Sequence, residues 1–137
     1  MPKMFFNEKL KNFRLSNVEQ KIKFLSKFKV DFVITKKFDK KFSKTKALNF
    51  IAEILNKKLN SKFIFVSNNF RFGNQRKGNV NLLIENEKNY NYKVVNPKPL
   101  MKDKKIVSSS LIRNLLENGF LEKANKLLDR NWTIEGI

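Results

Sequence analysis

The sequence predicts an α/β fold with a mainly parallel sheet. Stretches of helical periodicity alternate with short apolar runs along the whole chain, the pattern of parallel strands joined by helical crossovers. No internal repeat and no long linker interrupts the alternation, and 137 residues make one domain of ordinary size. The 41% hydrophobic content, with 14 Phe, suffices to bury a core.

The elements follow in order. "SNVEQKIKFLSKF" opens with Ser16 and, three residues on, Glu19, a capping-box spacing, then places Val18, Ile22, Leu25 and Phe28 at helical intervals. A helix from Asn17 to Phe28 is predicted. "VDFVIT", residues 30–35, is short, apolar and β-branched, and predicts a buried strand. Residues 45–60 put Ala47, Leu48, Ile51, Ile54, Leu55 and Leu59 on one face of a second helix. "KFIFV" is the next strand, and "SNNFRFGNQRKG", residues 67–78, with half of the four glycines, is a loop. A short helix capped by Asn79, a strand "YKVV", a turn "NPKPL" whose prolines forbid a helix, and a brief fourth strand "KKIV" complete the run.

Composition narrows the chemistry. The sequence has neither Cys nor His, which removes disulfides, thiolate metal sites and every histidine-based triad. No apolar run approaches the roughly 20 residues that span a bilayer, and the first ten residues lack the apolar core of a signal peptide. No membrane association is expected, and the location that fits is the cytoplasm. The net charge of +18 would suit a nucleic acid. Yet 25 of the 30 basic residues are Lys, accompanied by abundant Asn, Phe and Ile, the residues of A/T-rich codons, and basic residues outnumber acidic ones in both halves of the chain. The charge is therefore assigned to solvated surface, and nucleic acid is not the expected partner.

"VSSSLIR", residues 107–113, holds the strongest local signal. A helix starting near Ser109 or Ser110 presents unpaired N–H groups and a positive dipole end to an anion. Arg113 lies four residues past Ser109 and three past Ser110, on the same face. Its planar fork suits phosphate better than an ammonium does. One of Ser108, Ser109 and Ser110 can be an ordinary cap, but three hydroxyls exceed what one cap needs. Ligands in open parallel sheets gather where strands give way to loops or helices, so this stretch and the 67–78 loop are the two candidate sites.

"VSSSLIR" resembles the Ile-Ser-Ser-Thr-x-Ile-Arg signature of the nucleotidyltransferases. "NNFRFG" and the following "RKGNVNLL" resemble the Asp-Phe-Arg-Phe-Gly region of the bacterial FAD synthetase family. "RLSNVEQKIKFLSKFKVDFVI" and "LLENGFLEKANKLLDRNWTIEG" are similar to that family's early helix and strand and to its link toward a riboflavin kinase domain. The resemblance implies a Rossmann-like nucleotidyltransferase fold and FMN adenylyltransferase activity, with ATP and FMN as substrates and Mg2+ as the accompanying ion. It implies that Ser108, Ser109, Ser110 and Arg113 hold the triphosphate, and that Asn69, Phe70, Arg71, Phe72 and Gly73 shape the nucleotide and flavin site. The residues alone leave open whether Phe70 and Phe72 meet a ring system or pack beneath their own loop.

Departures from the family pattern are specific. The His-x-Gly-His motif is absent, and Met1 corresponds to a point beyond it, so the resemblance implies that the first strand and helix of the fold are missing. Ser110 stands for Thr, Asn69 for Asp, and Ser67 and Asp129 for Gly. Residues 1–137 are thus expected to form a partial adenylyltransferase domain, with 131–137 starting the link to a kinase domain. A separate N-terminal segment or a second copy of the chain is the macromolecular partner this implies.

Overall fold

A run of apolar residues becomes a strand only where a neighbour completes its hydrogen-bond ladder. In a computed structural model, which describes residues 5–7 and 14–134, that condition separates the predicted strands. The chain forms two compact units, one from residues 38–99 and one from the segments on either side.

The 38–99 unit is a βαβ arrangement. Strand β1 (Phe63–Phe65) pairs in parallel with β2 (Lys93–Val95), in the register Phe63 to Lys93 and Phe65 to Val95. The crossover between them carries two short helices, Val80–Glu85 and Glu87–Tyr90. Asn79 caps the first as predicted, its Oδ1 accepting the Leu82 N–H at 2.9 Å. Ahead of β1, a short helix Lys40–Ser43 is capped by Asp39, and a longer one begins at Ala47–Asn49 and continues through Phe50–Lys58 with wider turns. There Leu59 N–H bonds the Ile54 carbonyl at 3.0 Å, five residues back. Wider turns displace the predicted apolar stripe. Ile51 is buried with Ala47 and Leu55 against the core, while Leu48 and Leu59 are exposed.

The core of this unit is Ile51, Ile64, Phe72, Leu83 and Tyr92. Tyr92 is 3% exposed and donates its hydroxyl to the Leu83 carbonyl at 2.7 Å. Burial, then the nearby Glu87 and Tyr90, push this phenol up to about 12. Glu87 is held below the ordinary carboxylate range, chiefly by the Val94 N–H at 2.7 Å and further by Lys93. An unfolded tyrosine ionises near pH ~10, so Tyr92 contributes its full stabilisation below that pH and loses it as pH rises toward 12. Urea unfolding followed by circular dichroism should show stability falling across that interval, with a shallower slope in Tyr92→Phe.

In the other unit the helix predicted over 17–28 runs Val18–Ser26, three residues shorter. Its cap is Asn17 rather than Ser16. Asn17 Oδ1 accepts the Gln20 N–H at 2.7 Å, and Gln20 Oε1 accepts the Asn17 N–H at 2.9 Å, closing a capping box one residue on from the predicted one. Gln20 also donates to Thr133, and Phe24 lies beneath Arg130. The helix is therefore tethered along its 20 and 24 side, and the predicted stripe of Val18, Ile22, Leu25 and Phe28 is exposed.

Residues 30–35 are not a strand. Nothing among the described residues pairs with them, and Phe32 and Ile34 are exposed. "KKIV" is corrected too: Lys105–Ile106 (β4) pairs antiparallel with Met101–Lys102 (β3) in a tight hairpin instead of joining a parallel sheet. Asp103 and Lys104 both take positive φ, 50° and 60°, the twist that a two-residue hairpin requires. Two helices follow, α6 (Ser109–Glu117) and α7 (Leu121–Leu128), counting from Val18–Ser26 as α1 and taking 47–58 as one. Asp129, where the resemblance has Gly, adopts the left-handed conformation that ends α7, at φ 53°. Asp tolerates that region better than most residues. Of the 131–137 stretch, 135–137 lie outside the described residues.

Candidate functional site

The three serines divide by role. Ser108 is the N-cap of α6, its Oγ accepting the Leu111 N–H at 3.2 Å. Ser109 and Ser110 begin the helix and are exposed. Ser109 and Arg113, one turn apart, line a groove of about 390 Å³ with Ile112 of the same helix face. Ser110 lies outside that lining. The structure therefore brings Ser109 and Arg113 together, uses Ser108 to hold the helix start, and leaves Ser110 at the surface.

The rest of the lining carries residues that sequence reasoning did not assign to a site. Arg14, Ser16, Lys21, Phe24 and Arg130 complete the polar and aromatic lining. Arg130 Nη2 donates to Ser16 Oγ at 3.0 Å, and its guanidinium lies 4.0 Å from the centre of the Phe24 ring. Burial lowers the Arg130 pKa, yet an arginine keeps its proton at neutral pH. The Trp132 indole N–H, donating to the Leu15 carbonyl at 3.0 Å, pins the chain beyond α7 to the segment before α1. Residues more than a hundred positions apart thus meet here, which no local spacing could announce. One signal was available: three of the five arginines of this Lys-dominated chain line this one groove.

The 67–78 loop belongs to the other unit. Ser67 O accepts the Phe70 N–H at 2.9 Å, and Asn69 Oδ1 accepts the Ser67 hydroxyl at 2.8 Å, fixing its first turn. Phe72 and Gly78 exchange backbone hydrogen bonds of 3.1 and 2.9 Å and close it. Asn74 donates to the Thr45 and Ser43 carbonyls, anchoring it at the start of the long helix. The Phe72 ring is 7% exposed in the core, 5.4 Å from that of half-buried Phe70 and 5.3 Å from that of Phe50. Asn69 and Arg71 are exposed, and Gly73 holds φ 72° at the loop's inner corner. In this loop, Asn69, Phe70 and Arg71 present accessible surface and Phe72 packs inward.

Among the described residues no group of three acidic, His or Cys side chains converges on a point that could hold a metal ion. No helix among them is long and apolar enough to cross a membrane.

The fold is an α/β one, with a parallel strand pair joined by helices. A solved structure titled a macrolide-efflux protein from Streptococcus pneumoniae superposes with a TM-score of 0.77 over 96% of this chain and 50% of its own, at 24% identity, a likeness of fold. Residues 1–111 match the FAD synthetase family, and the chain belongs to that family. It is 41% identical over 136 residues to a bifunctional riboflavin kinase/FMN adenylyltransferase of Buchnera aphidicola from Schizaphis graminum, covering 98% of this chain and 44% of the relative. Proteins of the same name from Haemophilus influenzae and Escherichia coli K12 are 35% and 32% identical, over 98% and 90% of this chain and 44% and 39% of theirs. The chain spans less than half the length of these relatives.

Proposed function

We propose that this chain carries the FMN adenylyltransferase function of its family, moving AMP from ATP to FMN. An FMN phosphate oxygen attacks the α-phosphorus of ATP, the bond from that phosphorus to the bridging oxygen breaks, and pyrophosphate leaves as FAD forms. No covalent enzyme intermediate is needed. The protein's part is to align the two phosphates and to offset developing charge. The observation that carries the reading is the placement of Ser109 and Arg113 on one helix face, at a positively charged helix start, lining a cationic groove. Ser109 and Arg113 hold the triphosphate and Ser108 keeps the helix start in shape. Asn69, Phe70 and Arg71, at the surface of the 67–78 loop, contact the flavin. Mg2+ enters with the triphosphate as part of the substrate.

One observation favours a second reading. The sequence holds no histidine, so these residues supply no His-x-Gly-His contact to the reacting phosphates. On this reading residues 1–137 are a partial adenylyltransferase domain that binds nucleotide, and catalysis requires that contact from outside residues 1–137. Incubating the purified chain with FMN, ATP and Mg2+ and resolving the flavins by chromatography separates the two. FAD formed by this chain in proportion to its concentration is the expected outcome for the enzyme. ATP binding with no FAD identifies the binding piece, and absence of both overturns the proposal.

A further inference from the structure

Folding gathers Arg14, Lys21, Arg113 and Arg130 around one groove whose lining, among the described residues, contains no acidic side chain. Like charges lining one groove favour a polyanion between them. Arg130 is firmly held. Its face lies on Phe24 and one terminal nitrogen is spent on Ser16. No carboxylate pairs with it among the described residues. A guanidinium stacked through its face keeps its in-plane N–H groups for an acceptor, and two hydrogen bonds use fewer than its five donors. In a chain whose basic residues are mostly Lys, three of five arginines converge here.

We propose that Arg130, braced by Phe24 and Ser16 and aided by Lys21, is a further phosphate-binding residue that grips the terminal phosphates of a triphosphate seated against Ser109 and Arg113. The inference rests on the functional reading above for the identity of the nucleotide, but not for the anion site itself. It assigns the "LLDR" end of α7 a part in nucleotide binding, beyond the signature at α6.

Calorimetric titration of the full chain with inorganic tripolyphosphate, ATP and AMP, at one fixed salt concentration, tests it. Arg130→Lys, which keeps the charge and loses the fork, should weaken tripolyphosphate and ATP about tenfold and leave AMP unchanged. Lys21→Ala, at an exposed position outside the Phe24 and Ser16 brace, should weaken the same two ligands by a smaller factor. Lys58→Ala and Lys98→Ala, outside the groove, should change neither. Fluorescence of Trp132, the only tryptophan, reports whether this unit remains folded. Tripolyphosphate affinity unchanged in folded Arg130→Lys and in Lys21→Ala overturns the proposal, as does an equal loss in the two control variants. Arg130-dependent tripolyphosphate binding without FAD formation leaves the anion site standing and removes the enzyme. FAD formation with an ATP KM indifferent to Arg130→Lys does the reverse.

Discussion

Replacing Gly73 with alanine is expected to destabilise the 38–99 unit by roughly 3 to 5 kcal/mol. Two separate costs add at this position. Gly73 sits at φ 72° and ψ 175°, a region almost closed to residues with a Cβ. A Cβ at this position would also lie 2.7 Å from the Ala47 Cα and 2.8 Å from its nitrogen. Those are backbone atoms at the start of the long helix, so no side chain can swing aside. Gly119, at φ 76° with no heavy atom within 4 Å of where a methyl group would sit, isolates the conformational cost. Gly119→Ala should lose only about 1 to 2 kcal/mol. Both tyrosines, Tyr90 and Tyr92, lie in the 38–99 unit and the single Trp132 lies in the other. Urea unfolding of Gly73→Ala followed through the tyrosine signal should therefore show this loss. Equal losses at the two glycines would show that the approach of the loop to Ala47 does not constrain the protein.

The same loop shows why some features were legible in the sequence and others were not. The helix start at Ser109 and the Asn79 cap depend on residues three or four apart, and local spacing locates them. The strand at 63–65 could be anticipated from "KFIFV" because its partner at 93–95 lies within the chain, across a crossover of two short helices. Residues 30–35 have equally strand-like composition, but a ladder is a property of two segments and composition reports only one. The hairpin at 101–106 was hidden for another reason. Its two turn residues are Asp103 and Lys104, and without the usual Gly the turn gives no warning. The stripe on 45–60 assumed a period that the wider turns of this helix do not keep. In the site, Ser109 and Arg113 were accessible to reasoning because one helix carries both. Arg14 and Arg130 reach the groove through contacts between distant segments, among them the Trp132 and Ser16 tethers.

Arg113→Ala should weaken ATP binding by about 1.5 to 3 kcal/mol, a factor of roughly 10 to 150. The position explains the size. Arg113 is half-buried, one turn from Ser109, in a groove whose walls keep part of the solvent away. A charge-assisted hydrogen bond in such a setting is screened less than one at an open surface. If the +18 net charge alone attracted ATP, removing one of 30 cations would matter little, and Lys58→Ala would match Arg113→Ala. The comparison therefore separates a built site from diffuse attraction. Raising the salt concentration should lower the affinity of both variants while preserving most of the ratio between them, since screening acts more strongly on distant exposed charges than on a close pair. In steady state the loss should fall on the KM for ATP rather than on that for FMN, because Arg113 is assigned to the triphosphate. A matching rise in both constants would place Arg113 in the general stability of α6 instead, and the Trp132 transition in urea would then move with it.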